Sequence, residues 1–182
     1  MRHLGTKRLE TERLILRQFT GEDAPHMLRN WAGDGAVTKY LTWLAHANEG
    51  VSLAHINSMD YENPATYDWG IQLKEQGQVI GSIGAVGRRD EIEMVHIGYC
   101  IGRDWWHTGI MSEAFAAVIR FFFEEVEVNR IEARHDPRNP YSGSVMRKCG
   151  LVYEGTLRQS DRSNQGLCDA KWYAILREEY VK

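Results

Sequence analysis

The segment from Gly109 to Val126 constrains the fold more than any other part of this chain. Met111, Ala114, Phe115, Val118, Ile119 and Phe122 recur at helical spacing and fall on one face, with Glu113, Arg120 and Glu124 opposite. Such a helix must bury its apolar stripe against another layer. Its neighbours supply that layer. "MVHIGYCI", Met94 to Ile101, reads as a strand. "NRIEARH" alternates Ile131 and Ala133 against Arg130, Glu132 and Arg134, a strand with one buried face.

The remaining elements follow the same logic. "TERLILRQF" alternates as a first strand. In "TGEDAPHMLRNW", Thr20 can cap a helix, Glu22 and Asp23 suit its first turn, and Pro25 is tolerated early. Residues 34–63 read as short helices with weak periodicity. "YDWGIQLKEQGQVIGSIGAVG" reads as a hairpin turning at Glu75 to Gln78. "NPYSGSVMRKCG" reads as a short helix with Pro140 in its first turn and Gly150 just past its end. "LVYEGTLRQ" and "CDAKWYAILR" read as strands around a polar loop, Ser160 to Gly166. No repeat, linker or low-complexity run interrupts the order. The expectation is a single mixed α/β domain over residues 1–182.

Composition narrows the function classes. Lys plus Arg number 22 against 25 Asp plus Glu, a net charge of -3, so no basic excess points to nucleic acid. The start of the chain lacks the apolar run of a signal peptide, and no stretch approaches the roughly 18 apolar residues of a membrane span. Cys100, Cys149 and Cys168 are an odd, scattered set, which fits a reducing compartment and no disulfide framework. No Cys/His cluster has zinc-ligand spacing, so no metal is expected. These features predict a cytoplasmic protein with neither a membrane nor a nucleic-acid partner.

The chemistry gathers in "RDWWHTGIMSEAF", Arg103 to Phe115. A strand, a loop, one glycine and then a helix form a ready anion site. The first amides of a helix lack internal partners, and the helix dipole favours negative charge there. Gly-Lys-Ser/Thr is missing, and so is G-x-G-x-x-G, which excludes the common nucleotide loops.

Residues Trp106-His107-Thr108-Gly109-Ile110-Met111 resemble the coenzyme A pyrophosphate loop of GNAT acetyltransferases, Q/R-x-x-G-x-G/A. Gly109 matches the fourth position; Trp106 and Met111 depart from the first and last. "HIGYCIGRDWWHTGIMSEAF", "NRIEARHDPRNPYSGSVMRKCGLVYEGTLR", "TERLILR" and "WGIQLKEQGQVIGSIG" are similar, in order, to blocks of the RimJ/RimL-like branch. The resemblance covers about residues 9–180. It implies a GNAT-like α+β fold, with a mostly antiparallel sheet splayed between its fourth and fifth strands (Met94 to Ile101 and Arg130 to His135) and helices on both faces. It implies acetyl-CoA as cosubstrate, its pantetheine beside Tyr99, Cys100 and Ile101. The pyrophosphate would meet the amides of His107, Thr108, Gly109, Ile110 and Met111, with Ser112 near by. Met111 must then turn into the core, or it blocks the cradle.

By the same resemblance, Asn139 contacts pantetheine and Ser142 stands beside the sulfur as proton donor. Arg147 and Lys148 either reach the distal phosphates or form a solvated helix face. Direct attack by an amine needs that amine neutral. About 10 to 15% of an α-amine is neutral at pH 7, against roughly 0.04% of a lysine. His96 stands where the branch often has glutamate and is the candidate base, with Glu93 the alternative. Cys100 lacks a local His/Asp arrangement that would make it a nucleophile and reads as a strand cysteine. Trp31, Tyr40, Trp43 and Trp69 are candidates for an acceptor cleft. Three readings stay open: acetyl transfer to a protein N-terminus such as that of a ribosomal protein, transfer to a small amine such as an amino sugar or polyamine, and non-catalytic coenzyme A binding. A homodimer is compatible with each.

Overall fold

Alternation along the strands decides which residues lie on which side of the sheet. The structure, a computed structural model, describes residues 1–180. Its strands are β1 (Leu9–Glu10), β2 (Leu14–Arg17), β3 (Asp68–Leu73), β4 (Gln78–Arg89), β5 (Met94–Ile101), β6 (Arg130–His135), β7 (Val152–Ser163) and β8 (Gly166–Leu176). Its α-helices are α1 (Ala24–Met27), α2 (Gly35–Thr38), α3 (Glu49–Asn57), α4 (Ile110–Phe121) and α5 (Pro140–Lys148). The strands form one sheet in the order β1-β2-β3-β4-β5-β6-β8-β7. Every neighbouring pair is antiparallel except β5 and β6, which run parallel.

Leu14, Leu16, Trp69, Ile71, Ile83, Val95, Ile97, Ile131 and Ala133 share one core with Ala114, Phe115, Val118 and Ile119 of α4. Each fully buried Phe, Ile or Val here contributes about 1.5–3 kcal/mol of burial. A smaller cluster joins Phe19, Met27, Trp31, Ile56 and Val79, so the helical segment between β2 and β3 covers the other face. No helix among the described residues is long and apolar enough to cross a membrane.

The feature that positions the site is the β5–β6 pairing. It holds only at Met94–Arg130, Val95–Ile131 and His96–Glu132. Beyond His96 the strands part, which is the expected splay. Counted from Leu9–Glu10, it falls between the fifth and sixth strands; a two-residue strand is too short for alternation to reveal. The expected helix to Val126 is α-helical only to Phe121, and residues Phe122–Val126 form a wide turn. Phe121, Phe122 and Phe123 are all buried, and three consecutive rings cannot share one face at 3.6 residues per turn. The expected loop Ser160 to Gly166 is mostly strand. β7 runs to Ser163 and β8 resumes at Gly166. Two contacts made by other elements account for this: Asp161 takes both arms of Arg134, and Asn164 is held by the Thr38–Trp43 segment.

Candidate active site

Once β5 leaves β6, the edge of Ile97–Ile101 facing the splay lacks a ladder partner, so its backbone groups are free to pair with a ligand. A groove of about 300 Å³ lies beside this edge. Tyr99, Cys100, Ile101, His107, Gly109, Met111, Ser112, Asn139 and Ser142 all line it. Gly109 takes the left-handed φ of 80° that ends the loop and starts α4, so a side chain there is strained. Lys148 Nζ and Arg13 Nη2 stand 3.6 and 3.7 Å from the place a Cβ on Gly109 would occupy. Both cations therefore flank the first free amides of a 12-residue helix. Met111 is only 6% exposed and belongs to the core, which keeps the cradle open.

Other candidates are placed differently. The Ile110 side chain is buried in the core. Thr108 folds back, its Oγ1 donating to the Trp105 carbonyl at 2.6 Å and its own carbonyl accepting from Arg13. Arg147 does not line the groove: its guanidinium donates to Tyr173 Oη and Ser144 Oγ, both at 3.0 Å. Lys148, one residue on, faces the groove in its place. Across the mouth, the His107 and Tyr141 rings meet edge to face at 4.6 Å.

On the opposite side of β5 lies a cavity of about 680 Å³. Its floor carries Ser82 and Gly84 of β4 with His96, Gly98 and Cys100 of β5, and Asp68 of β3 at one side. Trp31, Tyr40 and Trp43 stand in its walls, whereas Trp69 is fully buried beneath α4, stacked with Tyr67 and edge-on to Phe121 and Phe122. Leu41, Tyr99, Cys100 and Ser142 line both spaces, so groove and cavity meet there. At that junction Tyr99 donates to the Ser142 carbonyl at 2.8 Å, and Ser142 Oγ donates to Tyr99 Oη at a long 3.4 Å. Burial holds the Tyr99 phenol well above its usual range. Burial also pushes the Cys100 and Cys149 thiols up to about 11, so neither is a ready thiolate.

The two candidate bases fare unequally. His96 lines the cavity but is 6% exposed. Its Nδ1 lies 3.2 Å from Glu132 Oε1 and its Nε2 3.1 Å from Arg134 Nη1. A guanidinium only donates, so Nε2 accepts and Nδ1–H donates to the carboxylate. The one lone pair of the ring is thereby occupied. Arg134 in turn chelates Asp161 at 2.6 and 3.0 Å and lies 5.2 Å over the Trp172 ring. Glu93 lies outside both spaces. It precedes β5 at a left-handed φ of 52°, and its carboxylate pairs with the Met1 ammonium at 2.8 Å. That ammonium holds its carboxyl below the usual range. Sequence reasoning missed Arg13 and Asp68. Arg13 is held at the loop by Glu113, which takes its Nε at 2.7 Å across 100 residues of chain, and by the Thr108 carbonyl. Asp68 did carry a signal, a charged residue in the strand "DWGIQL" on the face opposite Trp69 and Ile71.

The splayed sheet, the glycine-started helix and the free strand edge define an acyl-transferase architecture. A family model, Acetyltransferase (GNAT) domain, matches residues 13–152. The chain belongs to this family, in its RimJ/RimL-like branch, and is an acetyltransferase; the family draws its acetyl group from acetyl-CoA. The uncharacterized N-acetyltransferase p20 of Bacillus licheniformis is 33% identical over 178 residues, covering 95% of this chain and 98% of that protein. The [ribosomal protein uS5]-alanine N-acetyltransferase of Escherichia coli is 28% identical over 161 residues, 81% of this chain and 79% of that one. The crystal structure of a GNAT-family acetyltransferase from Bacillus anthracis superposes with a TM-score of 0.83 at 26% identity, covering 94% and 99% of the two chains.

Proposed function

We propose that this acetyltransferase moves the acetyl group of acetyl-CoA to the α-amine of a polypeptide N-terminus, by direct attack in a ternary complex. The observation that carries this reading is the meeting of groove and cavity at Tyr99, Cys100 and Ser142. A thioester laid along the free edge of β5 brings its carbonyl to that junction, and an amine entering the cavity reaches it from the other side. In this reading the amides of residues 107–112, with Lys148 and Arg13, hold the pyrophosphate, and Asn139 contacts the pantetheine. A backbone N–H near Cys100 stabilises the developing oxyanion. Ser142 hands a proton to the departing thiolate; a thiol pKa near 8.5 makes that a modest task.

The polypeptide acceptor is supported by the relative that acts on a ribosomal protein. The cavity's volume also lies in the range of small-ligand sites, which favours an amino sugar or polyamine as the second reading. A mass-spectrometric screen separates them: the protein and acetyl-CoA are incubated with peptides of varied N-terminus and with small amines. Acetylated peptide N-termini are expected. Faster turnover on small amines would replace this reading with the second.

A further inference from the structure

Asp68 differs from every other carboxylate around the cavity. Glu132, Asp136 and Asp161 are each paired with an arginine: Arg130 at 3.2 Å, Arg138 at 2.6 Å and Arg134 at 2.6 Å. The backbone of Asp68 is satisfied, its amide by Thr6 Oγ1 at 2.9 Å and its carbonyl by Tyr61 Oη at 3.2 Å. Its carboxylate has no hydrogen bond or ion pair among the described residues, although Asp68 is only partly exposed. The neighbouring strand leaves room for it, since a Cβ on Gly84 would stand 3.4 Å from Asp68 Cγ. Gly84, Ser82 and Cys100 continue the same floor to the junction with the cofactor groove. An anion withdrawn from water with no counter-charge is unfavourable, and it is suited to receive a cation from outside.

We propose that Asp68 binds the ammonium of the acceptor and takes its proton, leaving the amine free to attack the thioester. This rests on the transfer reading above and narrows its acceptor class. Burial pushes the Asp68 carboxyl up to about 7. An α-ammonium, near 7.7 to 8.0, lies far closer to such a base than a lysine ammonium near 10.4, so its proton transfer is the less costly of the two. Asp68 therefore favours α-amines over lysine side chains. The step balances. One ammonium proton goes to Asp68, the nitrogen lone pair forms the C–N bond, and the C–S bond breaks toward sulfur. The second nitrogen proton balances the one taken up by the thiolate through Ser142, and Asp68 returns its own to solvent.

Neighbouring titratable groups do not mimic this behaviour. Burial pushes Tyr61, from the segment before β3, up to about 12, and Cys100 of β5 up to about 11. It raises Tyr67 and lowers His46 and His55 in the cavity wall, so these imidazoles move away from the range in which Asp68 titrates. His96 and Arg134 are committed to each other and to Glu132 and Asp161.

The test is Asp68→Asn, assayed between about pH 5.5 and 9 on a peptide that the wild type acetylates. A loss of about 10²–10⁴-fold in kcat/KM is expected, together with loss of the acidic limb near pH 7 and an unchanged Kd for acetyl-CoA. Independently, ¹³C NMR of aspartate carboxyls in the wild type should show one group titrating near pH 7 that is absent from the variant. A variant matching wild-type rates at all pH overturns the role of Asp68 alone. A wild type that acetylates no amine overturns the transfer reading and this role with it. If Asp68→Asn fails to fold, the wild-type titration decides: no aspartate titrating above about pH 5 ends the proposal.

Discussion

Ser142 keeps its hydroxyl on Tyr99 through a bond of 3.4 Å, long enough for a better acceptor to displace it. A departing thiolate is such an acceptor, and a hydrogen bond to a charged group is worth about 1.5–3 kcal/mol. Ser142→Ala is therefore expected to lower kcat roughly 10- to 100-fold with little change in acetyl-CoA affinity, read by steady-state kinetics and calorimetry. An unchanged kcat would remove Ser142 from the chemistry. His96 is expected to behave otherwise. Its ring joins Glu132 to Arg134, so His96→Ala leaves the buried Glu132 and the half-buried Arg134 short of a bond. It should cost about 1–3 kcal/mol in urea denaturation and depress activity by the same factor at every pH. Selective loss of the acidic limb in that variant would return the base to His96. The sequence makes Ser142 and Asn139 legible because they lie in one short motif. It points to His96 and Glu93 by their place beside β5, but cannot show that Arg134 fills the lone pair of one and the chain's first ammonium draws off the other. Those partners lie 38 and 92 residues away.

At the level of elements, periodicity reads best where one face is buried throughout. α4, β5 and β6 follow from their own residues, as does the glycine that starts α4. The segment joining β2 to β3 is harder because its short turns of helix are held from outside. Arg17, at the end of β2, forks onto Asp23 with both contacts at 2.8 Å, and Asp23 also takes the Thr20 amide at 2.8 Å. Burial alone would raise the Asp23 carboxyl, but Arg17 and the Thr20 amide hold it below its usual range. A depressed carboxylate contributes stability above its unfolded pKa, near 3.9, and that contribution is lost as pH falls below this value toward the folded pKa. Asp23→Ala should cost about 1.5–3 kcal/mol at pH 7, because the half-buried Arg17 loses its charged hydrogen-bond partner. The deficit should shrink in denaturation curves taken below about pH 4. A deficit independent of pH would show that packing, and not the ion pair, joins β2 to the helical segment.

At the scale of the whole molecule, distant stretches of chain enclose the acceptor cavity, and the tip of the β7–β8 hairpin joins them. Asn164 donates from Nδ2 to the carbonyls of Thr38 at 2.8 Å and Trp43 at 2.9 Å, while its amide donates to the Leu41 carbonyl at 2.8 Å. One residue thus fixes the segment that carries Tyr40, Leu41 and Trp43 into the cavity wall. Nothing local predicts this, since "DRSNQG" reads as a polar loop and its partners lie 121 and 126 residues away. The cofactor groove depends less on the clasp, because most of its lining comes from β5, α5 and the start of α4. Asn164→Asp tests the division. It exchanges two N–H donors for an oxygen facing two carbonyl oxygens, so these partly buried acceptors lose their partner and meet a repulsive one. KM for the acceptor should rise about 10-fold or more, matching the loss of one to two hydrogen bonds, while Kd for acetyl-CoA stays within about twofold. Hydrogen exchange at residues 38–43 should quicken in the same variant, since the segment opens locally without global unfolding. Unchanged exchange with unchanged acceptor KM would show that the wall stands without the clasp. Equal losses for acceptor and acetyl-CoA would show that the two spaces move as one body.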